Sequence, residues 1–250
     1  MLSGWLQIAL FLVVLTALTP AIGGYMAQVY SGERVFLTRV ISPVERRFHR
    51  ALGIDPDQGQ DWKGYARSVL VLSGLSWLVL YVVLRTQTLH PWNAQGFHSG
   101  TWDVTFNTTS SFVTNTNWQY YGGETTMTYF SQMAGLAVQN FVSAAVGICV
   151  AIALIRGIVA RSGRTLGNFW QDLIRTLLYV LLPISVVAAL VLVSQGTVQT
   201  LAASTATLAH GPVASQEAIK ELGTNGGGCR PCARRWRSAP PAPRGSAAAR

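Results

Sequence analysis

WDVTFNTTSSFVTNTN, residues 102–117, decides how the chain is read, because it is polar, rich in Thr and Asn, and flanked by apolar runs. Trp102 to Phe112 have the composition of a short helix, about 16 Å long at 1.5 Å per residue, too short to cross a bilayer core of about 30 Å and return. Val113, Thr114, Asn115, Thr116 and Asn117 follow as a loop. A second stretch has the same build. Pro212 sits where a first-turn proline belongs, Ser215 to Leu222 are helical in composition, and Gly223, Thr224, Asn225, Gly226 and Gly227 close the segment. Pairing Thr116-Asn117 with Thr224-Asn225 gives an offset of 108 residues.

Working outward, four apolar runs are long enough to cross a bilayer, which takes about 20 residues. They are Met1 to Ile22, the 17 uncharged residues between Arg67 and Arg85, Met133 to Ile155, and Thr176 to Ser194. With 50% hydrophobic and 12% charged residues, the chain is far more apolar than a soluble domain, where roughly a quarter of residues are charged. The predicted class is an all-α multi-pass membrane protein. Small residues from Thr16 to Ala21 also allow a cleaved signal, but no Lys or Arg precedes the first run as a signal requires. At the offset of 108 the second run falls on the fourth. The expected organisation is therefore a first transmembrane helix (1–22), a connecting segment (23–67), and a channel-like repeat of span, re-entrant helix, loop and span (68–159). A second repeat, 173–228, lacks its closing span.

The net charge of +9 belongs mostly to the last 22 residues, which hold six Arg and no acid; residues 1–228 carry 13 basic against 10 acidic groups, a net of +3. No nucleic-acid partner is implied. The basic residues instead predict orientation. Arg34, Arg39, Arg46, Arg47, Arg50, Lys63 and Arg67 mark 23–67 as cytoplasmic, whereas 85–132 holds only Arg85. Arg156, Arg161, Arg164 and Arg175 place the next connection inside again, leaving the N-terminus external. Glu45, Arg46, Arg47 and Arg50 read as part of the cytoplasmic anchor.

Two polar loops at matching places in a membrane repeat fit ion selection. A potassium ion exchanges its hydration shell for fixed oxygens, which an extended loop supplies as backbone carbonyls and Thr hydroxyls. Glycine permits the positive φ angles that turn adjacent carbonyls to one axis, and a short helix aims its negative C-terminal end at the cation. Either loop alone reads more readily as an ordinary external turn, since Asn and Gly favour turns. Their repetition favours the ion-selecting reading.

FNTTSSFVTNTNWQYYGGETTMTYFSQMAGLAVQNF (106–141), GPVASQEAIKELGTNGGG (211–228) and RALGIDPDQGQDWKGYA (50–66) resemble the potassium-binding A subunit family of the Kdp potassium-transporting ATPase. The resemblance covers residues 1–228. It implies a channel-like subunit of the bacterial inner membrane, with four such repeats around one pore. That subunit captures external K+ at a selectivity filter and passes it along an intramembrane tunnel. The implied partners are the bilayer, an ATP-hydrolysing P-type subunit and small accessory subunits; the implied ion is K+, with no organic cofactor. No P-loop or phosphorylated-aspartate motif is present, so hydrolysis is expected of the partner and not of this chain. The resemblance assigns 113–117 to a first filter loop and 223–227 to a second, and ties Gln119 to K+ affinity. The expected oxygen sources are Thr114, Asn115, Thr116, Thr224, Asn225 and Gly226, with Asn side chains bracing the loops. A stand-alone potassium channel or symporter of the same superfamily, and a membrane scaffold without ion handling, remain the alternatives.

At Gly228 the pattern changes. CRPCARRWRSAPPAPRGSAAAR (229–250) gains Arg, Ala and Pro without an acid, resembles a message read in a shifted frame, and is expected to be disordered. Cys229 and Cys232 lack the further ligands a metal site needs. The expectation is an N-terminal part of the subunit, cut or frameshifted after Gly228 and inactive by itself.

Overall fold

The computed structural model describes residues 2–56, 58–93, 95–118, 121–160, 165–197, 199–201 and 211–224, the side chains of residues 2, 3 and 124 excepted. Among these residues the regular structure is helical, apart from an isolated antiparallel bridge between Gln199 and Pro212. The helices are α1 (Leu2–Ser31), α2 (Thr38–Leu52), α3 (Trp62–Arg85), α4 (Trp102–Val113), α5 (Gly123–Thr126), α6 (Val138–Val159), α7 (Phe169–Arg175), α8 (Leu182–Ser194) and α9 (Val213–Leu222). Two π-helical stretches, Ser131–Ala137 and Thr176–Leu181, run directly into α6 and α8. Four apolar helices long enough to cross a membrane result: Gly4–Ser31, Trp62–Arg85, Ser131–Val159 and Phe169–Ser194. The shortest has 24 residues, about 36 Å at 1.5 Å per residue, against a core of about 30 Å. The chain is an all-α multi-pass membrane protein.

Each helix outruns the apolar run that predicts it. The first continues past Ile22 to Ser31, and the fourth begins at Phe169 instead of Thr176. Hydropathy stops at the first charge, but the backbone ladder does not, provided the charged side chains find partners. Arg156 and Arg175, read from the sequence as loop charges, lie inside helices and are ion-paired.

The chain forms two compact units. The first comprises residues 1–76 and 141–188. At its centre Arg156 grips Asp172 through both nitrogens, Nη1 to Oδ2 at 2.6 Å and Nη2 to Oδ1 at 3.0 Å. Asp172 is 1% exposed, and a buried carboxylate persists only when paired and hydrogen-bonded. The Tyr65 hydroxyl lies 3.2 Å from Asp172 Oδ2 and 2.9 Å from the Cys149 carbonyl. Thr176 donates to the Asp172 carbonyl and meets the Tyr30 hydroxyl at 2.7 Å, so α1, α3, α6 and α7 converge on one acid. A second pair, Arg175 Nε to Glu45 Oε1 at 3.1 Å, joins α7 to α2, and the Tyr179 hydroxyl donates to Glu45 Oε2. Glu45 is therefore a buried partner of Arg175 and Tyr179. Asn168 caps α7, accepting from Trp170 and Gln171 N–H while donating to the carbonyls of Asp55 and Gln58.

The second unit comprises residues 77–140 and those from 189 onward. Leu80 and Leu84 of α3 pack with Phe112, Met127 and Leu136. Trp77 stacks on Tyr81 with centroids 5.0 Å apart, and its Nε1 donates to Ser110 Oγ of α4 at 3.0 Å. Gly135 lets the third span close on α3: a Cβ there would lie 3.1 Å from Leu80 Cδ1 and 3.2 Å from Val83 Cγ1. Such small-residue contacts are how membrane helices pack closely.

Candidate functional site

The site grows from the end of α4. Asn115, two residues past Val113, has φ +60°, left-handed backbone that asparagine tolerates better than other non-glycine residues. Its N–H bonds the Phe112 carbonyl at 3.3 Å, and the Thr116 N–H bonds the Ser111 carbonyl at 2.9 Å. These are the two bonds of a Schellman cap. The Asn117 N–H also reaches Ser111 O at 3.2 Å, and Asn117 has φ +52°. The positive φ angles ascribed to glycine in the sequence are thus taken by asparagine here. Val113, counted with the loop, is the last residue of α4.

Hydroxyls complete this cap. Thr114 Oγ1 donates to Ser110 O at 2.9 Å and lies 3.1 Å from Thr116 Oγ1. A hydroxyl carries one proton and two lone pairs. With the Thr114 proton directed at Ser110 O, Thr116 is the donor of that second contact, and one lone pair of Thr114 and both of Thr116 stay available. Among the described residues no backbone N–H donates to the carbonyls of Thr114 or Thr116. At the opposite end of α4, the Thr101 hydroxyl, with the N–H groups of Asp103 and Val104, holds the Asp103 carboxyl below the usual carboxylate range. That charge also opposes the positive end of the helix.

α9 ends in the same way. Thr224 has φ +57° and its N–H bonds the Glu221 carbonyl at 3.3 Å, as Asn115 does to Phe112. A β-branched residue in this region is strained. The left-handed residues correspond at an offset of 109 instead of the 108 obtained by pairing Thr-Asn with Thr-Asn. The caps, and not the letters, set the structural register. The two loops also touch: Asn115 Nδ2 lies 3.4 Å from the Gly223 carbonyl and 3.5 Å from Thr224 Oγ1.

The structure thus brings Val113, Thr114, Asn115, Thr116 and Asn117 beside Gly223 and Thr224. Gln119, Asn225, Gly226 and Gly227 lie outside the described residues. Behind the first loop, the Oγ1 atoms of Thr105, Thr108 and Thr109, the Ser111 hydroxyl and both amide atoms of Asn117 are buried, with no hydrogen-bond partner among the described residues. Buried polar atoms of this kind are normally met by water or another polar group.

Sequence reading passed over Gln87. It is fully buried, donating from Nε2 to the carbonyls of His98 and Thr126 while Oε1 accepts from Thr128 N and Ser131 Oγ. Both ends of the connection that carries α4 are thereby tied to the start of the third span. No periodicity marks such a residue. Asp172 had a signal, an acid within helical reach of an apolar run, which is a site by default in a membrane.

Comparison with known proteins adds to this geometry. Residues 9–231 match the family model described as the potassium-transporting ATPase A subunit. The chain is 53% identical over 235 residues to a potassium-transporting ATPase potassium-binding subunit of Rhodospirillum centenum, covering 90% of this chain and 41% of the relative. It is 52% identical over 236 residues to the subunit so named in Methylobacterium nodulans, covering 91% and 41%. With that of Nitratidesulfovibrio vulgaris it shares 50% over 237 residues, covering 91% and 42%. The chain spans about two fifths of the length of the curated relatives it matches. With a match over most of its length and half its residues shared, the chain belongs to the potassium-transporting ATPase A subunit family.

Proposed function

We propose that the chain is the potassium-capturing part of an ATP-driven uptake complex, with the loops at 113–117 and 223–227 contributing to a selectivity filter open to the outside. The observation that carries this reading is the contact of Asn115 with Gly223 and Thr224. Two helix C-termini, each closed by a left-handed cap, thereby present their loops side by side. Aligned peptides leave partial negative charge at both ends, and loop carbonyls with Thr lone pairs supply oxygens of the kind that replace a hydration shell. Gln119, Asn225, Gly226 and Gly227 belong to the same proposed filter. Two loops surround an ion from one side only, so the remaining oxygens come from additional loops of a complete subunit. Captured K+ then passes through an intramembrane tunnel to an ATP-hydrolysing P-type partner, which supplies the energy. Accessory subunits complete the complex in the bacterial inner membrane. The names carried by the relatives, potassium-binding subunit of a potassium-transporting ATPase, support this assignment.

Rubidium binding to the assembled transporter tests it. Thr116→Val and Asn115→Leu should each weaken Rb+ binding by roughly tenfold, the equivalent of about 1.4 kcal/mol. Unchanged affinity in both would overturn the filter assignment and favour a scaffold. Loss of the ATP-hydrolysing subunit from the purified complex without loss of uptake would instead favour a stand-alone channel.

A further inference from the structure

α2 has three faces, and among the described residues its polar contacts to other helices are made from one of them, the second touching the protein through Phe36, whose ring lies 5.6 Å from that of Tyr25. Glu45 is buried, with Ile41, Ser42 and His49 half-buried beside it. A second face carries Phe36, in the turn before the helix, then Val40, Val44, Phe48 and Leu52, each four residues on and from 38% to 80% exposed. A third carries Arg39, Arg46 and Arg50, all exposed. Seven- and four-residue spacings put these three arginines on one side of a 3.6-residue helix, next to the apolar stripe. Arg47 stands at the border between them, where a long side chain can lay its methylenes on apolar surface and extend its charge outward.

The position of α2 selects what covers its apolar face. Glu45 is held by Arg175 and Tyr179, near the start of the fourth span, and Arg175 Nη1 donates to the Val29 carbonyl near the end of the first. α2 is therefore fastened at the level where two membrane spans end, and six residues (32–37) join it to α1. A helix at that boundary with an apolar stripe beside a basic one has the build of an in-plane interfacial helix. The adjoining arginines complement anionic headgroups, and the apolar stripe matches the acyl boundary beneath them.

We propose that α2 lies in the membrane surface as a docking face for anionic phospholipid. Phe36, Val40, Val44, Phe48 and Leu52 enter the headgroup–acyl boundary, and Arg39, Arg46 and Arg50 bind lipid phosphates. This fastens the end of the first span to the start of the fourth through the bilayer as well as through Glu45.

The test uses the full chain with Cys229→Ser and Cys232→Ser, reconstituted in vesicles of phosphatidylethanolamine and phosphatidylglycerol. A fluorophore is attached in turn at Phe48→Cys, Val40→Cys and Arg46→Cys. Lipid-borne nitroxide should quench the probes at 48 and 40 several-fold more than the probe at 46, with aqueous iodide showing the reverse order. Replacing phosphatidylglycerol by phosphatidylcholine should weaken the lipid quenching. Each of Arg39→Gln, Arg46→Gln and Arg50→Gln should remove about fivefold from the ratio of docked to undocked helix in anionic vesicles. Iodide access at 40 and 48 equal to that at 46 overturns the proposal. So does protection of 40 and 48 from both quenchers, which means that protein and not lipid covers the face. Quenching that ignores phosphatidylglycerol overturns the anionic preference.

Discussion

Gln87 uses all four of its side-chain hydrogen-bonding positions inside the protein. Gln87→Leu keeps the bulk and leaves the His98 and Thr126 carbonyls and the Thr128 N–H without it. An unsatisfied buried group costs about 1–3 kcal/mol, so this variant should lose several degrees of thermal stability in detergent. It should also lower Rb+ affinity, because the connection it anchors carries α4. Gln87→Glu keeps two acceptor positions but loses both donors, and should be as damaging. An unaltered melting temperature in both would show that the network contributes nothing. Gln87 was invisible in the sequence because one amide after a helix-ending arginine has no pattern; only folding gives it four partners. Thr114 to Asn117 were legible as a loop. Their left-handed backbone was not, since asparagine adopts it only where a helix end requires a cap.

At the scale of elements, the first unit turns on the contact between α6 and α7. Breaking a buried ion pair by removing one partner costs about 3–5 kcal/mol because a charge is stranded, so Asp172→Leu should destabilise strongly. Arg156→Leu combined with Asp172→Leu should recover much of that loss, as apolar replacements of buried pairs do. A double variant no more stable than the single one would count against the pairing argument. In the second unit, Gly135→Val places a branched side chain against Leu80 and Val83. Overpacking of this kind costs about 1–3 kcal/mol, whereas Gly147→Ala, whose Cβ meets nothing within 4 Å, should be neutral. Both comparisons are read by unfolding in detergent. Helix existence was plain from apolar runs, but helix ends were not. The fourth span includes Asp172 and Arg175, which a hydropathy window rejects and a buried partner accepts.

For the whole molecule, the distribution of basic residues predicts which side each connection faces. Leu89→Cys, at an 84% exposed position, should react with a membrane-impermeant maleimide in intact cells. Gln58→Cys should react only after permeabilisation, and the opposite pattern would invert the proposed topology. The residue sequence by itself determined the class, the number of spans and the two short polar helices. Each rests on local composition: apolar length against bilayer thickness, and Thr, Asn and Gly where a span cannot continue. Only the tertiary structure decided which charges are buried, where the caps fall, and that Asn115 meets Gly223 and Thr224. The loop contact depends on pairing between residues more than a hundred positions apart, the buried charges on an arginine finding an acid across a helix interface, and the caps on the left-handed backbone that each helix end adopts. Spacing along the chain encodes none of these.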